Sequence, residues 1–277
     1  MIPNKFQISI DTGGTFTDAM IYEKNIGILS GKSLTNPENA FLSVKEATMS
    51  ALQKHRITFD ELIKNTEIFI YGTTRSTNAV VTKKTARTAF ITTKGFKDTL
   101  ILKEGGRQKA HEFSEKYPSP FIPKKLTFEI DERISAEGKV ITAINEDKAY
   151  EIIKKISLLG VEAISVSLLW SFVNPVHELK IAKIISETTP ELPFSLSHEL
   201  IPIIREYRRA STTCIDASLK PLMQKHLKEL DSNLINIGFK GQMFISTSTG
   251  GWGEIKNIIQ NPIYTLKSGP SMAPIAA

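Results

Sequence analysis

Apolar and polar residues alternate at the start of the chain, where Phe6, Ile8 and Ile10 share one face of a strand that ends at Asp11. Thr12-Gly13-Gly14-Thr15-Phe16-Thr17-Asp18 follows, and a second apolar run continues through Ala19, Met20 and Ile21. Too few residues separate the two runs for a crossover helix, so they are expected to pair antiparallel around a tight turn. Residues 26–30 read as a third short strand that completes a meander. Thr35-Asn36-Pro37-Glu38 offers a cap candidate ahead of an early proline and predicts a helix ending near His55. Its apolar stripe is Phe41, Val44, Ala47, Met49 and Leu52. A compact strand over 67–72 then runs into Thr73-Thr74-Arg75-Ser76-Thr77-Asn78-Ala79-Val80, a polar helix start.

Residues 88–93 read as another strand, and 103–109 with 117–123 as a long irregular excursion of the kind that carries function or is mobile. Residues 128–130 and 139–141 predict a small hairpin around Gly138. Ala149, Ile152, Ile153, Ile156 and Leu159 give a helical stripe over 146–159 that Gly160 stops. The apolar run 161–169 reads as a central parallel strand. A helix from Asn174-Pro175 and a strand over 194–197 follow, and this alternation implies right-handed crossovers onto a mixed or parallel sheet. A charged cluster over 205–213 precedes a helical pattern from Cys214 to about Ile237, which Pro221 is expected to break or restart. Strands are expected over 241–251, ending in Gly250-Gly251, and over 264–271, entering Ser268-Gly269-Pro270. Residues 273–277 read as the opening of a helix.

The bulk properties narrow the class. A chain of 277 residues, 41% apolar and 23% charged, fits a globular protein of one large or two smaller domains. The net charge of +6 comes without a Lys/Arg-dense tract interleaved with aromatics, so no nucleic-acid partner is expected. It suits anionic substrates and equally a solvated lysine-rich surface. The single Cys214 excludes an internal disulfide and fits a reducing compartment. Met1-Ile2-Pro3-Asn4-Lys5 has no signal-peptide core and no run reaches membrane-spanning length, so a cytoplasmic protein without membrane contact is expected.

Chemistry concentrates at two junctions. Gly13-Gly14 lets the backbone approach a ligand with its N–H groups, a concavity that suits phosphate. Asp11 at the strand end could hold a hydrated divalent cation, and Thr12, Thr15 and Thr17 add hydroxyls. The same residues also suit an ordinary hairpin turn, with Asp18 as a brace or cap. At the second junction, Thr73, Thr74 and Asn78 could face substrate or phosphate at a helix start, or simply cap it. Arg205 and Arg209 could bind a carboxylate or phosphate in bidentate fashion, or pair with Glu206. His177 and His198 stand beside Glu178 and Glu199 without a metal-pair spacing and are read as structural. Cys214 reads as a buried spectator, and Trp170 and Trp252 as core or hinge packing.

Several of these pieces together resemble the hydantoinase/oxoprolinase family, in its hydantoinase A type. The first are Asp11-Thr12-Gly13-Gly14-Thr15-Phe16-Thr17-Asp18, Gly72-Thr73-Thr74 with Thr77-Asn78-Ala79, and Arg87-Thr88-Ala89 with Ile91-Thr92-Thr93-Lys94-Gly95-Phe96. Next come Leu168-Leu169-Trp170-Ser171-Phe172, Asn174-Pro175, His177-Glu178 and Ser197-His198-Glu199. Arg205-Glu206-Tyr207 with Arg209, Ser211-Thr212-Thr213, Gly250-Gly251 and Ser268-Gly269-Pro270 complete the series, which runs in order over nearly the whole chain. The resemblance implies an α/β fold built of ribonuclease-H-like lobes of the actin, sugar-kinase and heat-shock-chaperone ATPase type, with mixed sheets flanked by helices. It implies ATP and Mg²⁺ at Asp11, Thr12, Gly13, Gly14, Thr15 and Thr17, with Asp11 toward the metal. Thr73, Thr74, Asn78, Arg205, Ser268 and Gly269 are the residues it points toward substrate.

The implied activity is ATP-dependent opening of cyclic amides of the hydantoin or 5-oxoproline type, by phosphoryl activation of a carbonyl oxygen. Ser268-Gly269-Pro270-Ser271-Met272-Ala273-Pro274 looks more like the acetone-carboxylase branch, which makes a ketone the alternative substrate. Residues 1–200 would form an N-terminal ribonuclease-H-like domain, with a hairpin and loop region inserted at about 95–145. Residues 201–277 would start a core domain. Family members continue well beyond this loop, where a second phosphate loop and an adenosine-binding segment lie. The chain is therefore expected to be an N-terminal portion, inactive alone and completed by a hydantoinase B-type partner subunit or domain. A non-catalytic lobe that docks to a partner chain is one other reading, and a sugar-kinase-like phosphotransferase, for which no cleft carboxylate is identified, is another.

Overall fold

The alternation at the start of the chain becomes a three-stranded meander in the computed structural model, which describes residues 5–104, 114 and 118–271. The excursion expected over 105–109 and at Tyr117, and the helix opening expected over 273–277, lie outside the described residues. The chain divides into two units, Met1–Lys84 with Leu222–Ala277, and Thr85–Pro221.

In the first unit β1 (Phe6–Thr12) pairs antiparallel with β2 (Phe16–Glu23), and β2 with β3 (Gly27–Leu34). Phe6, Ile8 and Ile10 are buried, as their period predicts. Gly31 on β3 permits the next layer, because a Cβ there would lie 2.3 Å from backbone atoms of Ala47 and Ala51 in α1 (Ala40–Leu52). That helix starts later than Pro37 suggested. Asn36 Oδ1 accepts from the N–H groups of Glu38 and Asn39, both at 3.0 Å, and Asn39 then caps the N–H of Leu42. Side-chain capping by the two asparagines outweighs the preference for proline at the first helical position. A further helix, α2 (Phe59–Lys64), escapes the apolar pattern because it is under two turns long, and it rests on a Thr58–Glu61 capping box. Then β4 (Thr66–Thr73) pairs parallel with β1 and leads directly into α3 (Arg75–Val81).

The second unit holds β5 (Thr88–Thr93), α4 (Thr99–Leu102), β6 (Thr127–Ile130), and the two-stranded β7 (Arg133–Ile134) with β8 (Val140–Thr142). It continues with α5 (Glu146–Ser157), β9 (Ala163–Ser167), α6 (Val176–Thr188), β10 (Phe194–Leu196) and α7 (Ser197–Leu200). Its main sheet has the order β10-β9-β5-β6 with every pair parallel. All five residues of β9 are buried, which agrees with the central parallel strand expected over 161–169. The hairpin expected between 128–130 and 139–141 does not form. Residues 128–130 extend the parallel sheet instead, where Thr127 and Ile130 are buried, and the small hairpin pairs β7 with β8. Burial against β5 outweighs the local turn.

Helix α8 (Glu206–Ile237) is continuous through Pro221, so the expected break is absent. Proline in a helix interior costs about 3 kcal/mol. Buried Leu219, Met223, Leu227, Leu230 and Leu234 each return roughly 1.5–3 kcal/mol, which offsets that cost several times over.

The first unit closes with β11 (Gln242–Ser246), parallel to β4, and β12 (Trp252–Glu254), antiparallel to β11. Trp252 on this edge is exposed, which excludes the core half of the core or hinge packing expected for it. After α9 (Ile255–Gln260), residues 264–271 form no strand. A 3-10 turn at Pro262–Thr265 is followed by helical residues from 268. This segment is fixed to α3 by side-chain hydrogen bonds, Ser76 Oγ with Thr265 Oγ1 at 2.5 Å and the Lys267 N–H to Thr77 Oγ1 at 3.0 Å. The sheet order β12-β11-β4-β1-β2-β3, with β2 antiparallel to both β1 and β3 and with β1, β4 and β11 parallel, is that of a ribonuclease-H-like lobe of the actin, sugar-kinase and heat-shock-chaperone type.

Candidate functional site

The β1–β2 turn is built to leave amides open. The Gly13 N–H closes it onto the Phe16 carbonyl at 2.9 Å, while the N–H groups of Gly14 and Thr15 have no acceptor among the described residues. From outside, Thr35 holds the turn, with its N–H on the Thr15 carbonyl and its hydroxyl on the Gly13 carbonyl. Thr17, expected to contact a cofactor, is fully buried with its hydroxyl 3.0 Å from that of Thr35, so it braces the turn from beneath. Asp18 pairs across the strands with Lys32 at 2.8 Å, in the open, and braces rather than caps.

Strand alternation sends the site residues to two sides of the β1 end. On one side Asp11 stays exposed, and the missing Cβ of Gly72 leaves the room that its carboxylate and the Ser246 hydroxyl occupy. An alanine methyl there would lie 3.2 Å from Asp11 Oδ1 and 3.0 Å from Ser246 Oγ. Partial burial, with the Asp18 charge adding to it, raises the Asp11 pKa above the usual carboxylate value. A cation would reverse that shift. On the other side Thr12, Gly13, Gly14, Thr73, Thr74 and Asn78 line one cavity of about 430 Å³. Asn78 lies beside Gly14, whose own Cβ would be 3.6 Å from Asn78 Nδ2, and it donates to Thr74 Oγ1 at 3.3 Å.

Arg75 and His226, neither assigned a role from the sequence, are among the further residues that line this cavity. Arg75 follows Thr74 directly; its Nη1 donates to the Pro37 carbonyl at 2.7 Å and its Nε is buried without a partner. His226 arrives from α8, more than a hundred residues downstream, and its Nε2 lies 3.0 Å from the Tyr71 hydroxyl. Burial, helped by the Arg75 charge, pushes the His226 pKa down to about 4, and burial also raises that of Tyr71, so both are neutral near pH 7. Nothing local in the sequence marks His226; only the packing of α8 on β4 brings it here. Ser268 is buried and Gly269 exposed in the helical residues after the 3-10 turn, and neither lines the cavity. Arg205 belongs to the second unit, exposed ahead of α8 with φ of 83°.

The second unit spends its charged residues internally. Glu178, fully buried, accepts from the Leu168 N–H at 2.9 Å, Ser197 Oγ at 2.6 Å, the His198 N–H at 3.1 Å and His198 Nδ1 at 2.6 Å. Arg209 donates to Ser197 Oγ and to the carbonyls of Ile203 and Leu168, so the ion pair expected with Glu206 is not how its guanidinium is held. Burial lowers the Arg209 pKa, with Glu178 and then Glu206 opposing. His177 meets buried Glu132 at 2.6 Å, and Glu132 also accepts from Thr93. Both histidines are thus held by carboxylates in the structural role expected of them. Cys214 is buried, and burial pushes its thiol up to about 12, which makes it inert.

The turn fits a nucleotide's phosphates and a hydrated cation: two open amides, and one exposed carboxylate to which phosphate oxygens and water would add ligands. No cluster of three or more His, Cys, Asp or Glu suited to a metal occurs among the described residues, so a cation here would depend on its other ligand. No described helix is long and apolar enough to cross a membrane.

A family model described as hydantoinase/oxoprolinase N-terminal region matches residues 7–189, and a second, hydantoinase/oxoprolinase, matches residues 209–276. The caprolactamase subunit alpha of Pseudomonas jessenii is 27% identical over 100% of this chain and 40% of its own length. The acetophenone carboxylase gamma subunit of Aromatoleum aromaticum is 29% identical over 90% of this chain and 36% of its own. A crystal structure of ATP-dependent caprolactamase from Pseudomonas jessenii has the same fold, with a TM-score of 0.87 at 27% identity over 97% of this chain and 39% of that one. The chain therefore spans 36–40% of the length of these relatives. With both family models matching in order, the chain belongs to the hydantoinase/oxoprolinase family.

Proposed function

We propose that this chain is the N-terminal part of a cytoplasmic ATP-dependent enzyme that opens cyclic amides by activating a carbonyl oxygen. The observation that supports it most is the turn itself: two open amides next to an exposed carboxylate, in a chain similar to an ATP-dependent caprolactamase. Bound Mg-ATP would supply the phosphoryl group that makes the amide oxygen a leaving group. The Gly14 and Thr15 amides would hold phosphate oxygens, Thr12 and Gly13 would shape the backbone around them, and Asp11 would hold the cation. Thr73, Thr74 and Asn78, on the cavity side, would orient the carbonyl substrate. Relatives named as subunits support a partner chain, here a hydantoinase B-type subunit or domain. A ketone carboxylase is the second reading, favoured by the likeness to an acetophenone carboxylase subunit. Arg205 would be a further substrate contact, while Ser268 and Gly269, which do not line the cavity, are given no role here.

Asp11→Asn in the protein carrying this chain tests the reading. The expected result is loss of Mg-dependent nucleotide binding by at least tenfold, with the fold unchanged by thermal unfolding. Unaltered nucleotide binding would remove Asp11 and the turn from the site.

A further inference from the structure

The cavity at the turn adjoins a larger one of about 710 Å³, also within the first unit, and both have Arg75, His226, Leu222, Ala40 and Pro37 among their walls. Its volume suits a small organic molecule. Polar and charged side chains form most of its lining, and the charges balance, with Arg75 and Lys225 against Glu38 and Glu229. Lys225 and Glu229, four residues apart on α8, lie 4.0 Å from each other and offset one another. The other two charges are unspent. Arg75 forms no ion pair among the described residues; its Nη1 donates to the Pro37 carbonyl, while Nε is buried without a partner and Nη2 has no acceptor. The edge left free, Nε with Nη2, is one that receives a carboxylate through two parallel hydrogen bonds. Glu38 is exposed just ahead of α1, and its carboxylate has neither an ion pair nor a hydrogen bond among the described residues. The same wall holds His226, whose Nε2 faces the Tyr71 hydroxyl and whose Nδ1 has no partner among the described residues. Phe41, Leu222 and Leu230 supply its apolar part.

One open charge of each sign on the wall of a single cavity matches a ligand that carries both. A simple anion drawn to Arg75 would be opposed by Glu38, and a simple cation drawn to Glu38 would be opposed by Arg75. We propose that the larger cavity binds a small zwitterion of the amino-acid type, its carboxylate held by Arg75 and its ammonium group by Glu38, with the methylene groups between them against the apolar part of the wall. This goes beyond the function proposed above, since the zwitterion is a second ligand and its binding calls on neither the nucleotide nor the carbonyl compound.

The test is equilibrium binding to the protein carrying this chain, without nucleotide, of the ω-amino acids from glycine to 6-aminohexanoate, with butanoate and butylamine as single-charge controls. At least one of the amino acids should bind at least tenfold more tightly than either control. Arg75→Met should weaken that amino acid at least tenfold and leave butylamine no weaker. Glu38→Gln, a change on an exposed side chain, should weaken it at least threefold and leave butanoate no weaker. Thermal unfolding shows that each variant folds. Equal binding of the amino acids and the controls, no binding of any amino acid, or indifference to either substitution overturns the proposal. So does an Arg75→Met variant that loses nucleotide binding and keeps the amino acid, because Arg75 would then serve the cavity at the turn alone. Intact amino-acid binding combined with an Asp11→Asn variant that still binds nucleotide overturns only the proposed function.

Discussion

The two units hold the same kinds of side chain and use them in opposite ways. In the unit Thr85–Pro221, Glu178, His198, Ser197 and Arg209 form a closed set in which donors and acceptors meet inside the protein, and His177 with Glu132 repeats the device. In the unit that carries the glycine turn, Arg75, His226 and the turn amides retain unused donors at the walls of cavities. A buried charge is tolerable only when its hydrogen bonds are complete, so the first arrangement is what structural roles require. Leaving donors unused at a cavity costs stability and is repaid when a ligand completes them. The histidines therefore differ in meaning although neither forms a metal motif.

That contrast can be broken by measurement. The largest effect is expected at Glu178→Gln, which takes the carboxylate from His198 and the opposing charge from buried Arg209. Urea unfolding should show a loss of about 3–5 kcal/mol, the range for breaking a buried pair. Arg75→Met should cost below about 1 kcal/mol in the same assay. Similar losses in the two variants would dissolve the distinction between the units.

A second, smaller effect concerns pH. His226 is held neutral by burial with its pKa down from 6.5 to about 4, facing neutral Tyr71 and the Arg75 cation. Between those values the unfolded chain binds a proton that the native state refuses. The stability due to the neutral imidazole is complete above pH 6.5 and is lost as pH falls toward 4. His226→Gln should flatten the difference in unfolding free energy over that window, by at most about 3 kcal/mol. A slope identical to that of the wild type would show that His226 titrates normally.

The smallest effect is expected on the open side of the meander. Lys32 and Asp18 are each about half exposed, so Lys32→Ala should change stability by less than about 1 kcal/mol, and less still in high salt. A larger loss would mean that the pair braces the turn more firmly than its exposure allows.

Local pattern was enough wherever one physical effect dominated. The β1–β2–β3 meander was legible because strict alternation and a short turn leave few alternatives, and β9 because five successive buried residues fit a parallel strand. The Asp11 to Thr15 turn was legible as a tight turn with open amides for the same reason: its chemistry lies in consecutive residues. What was misread depended on competition between local and distant terms. Residues 128–130 joined β5 instead of a hairpin, Pro221 stayed inside a helix, and 264–271 became a turn tied to α3. Thr17 carries the same hydroxyl as Thr12 and Thr15, but its place in the β2 alternation buries it beneath the turn.

The sequence by itself therefore determined the family, the ribonuclease-H-like start and the Gly13-Gly14 turn, because these are written in neighbouring residues. Only the tertiary structure decided which polar side chains are spent and which are open. His226 meets Tyr71 across 155 positions, and Arg209 reaches Leu168 across 41. Such pairings depend on how α8 lies against the strands, which no short stretch of the chain encodes.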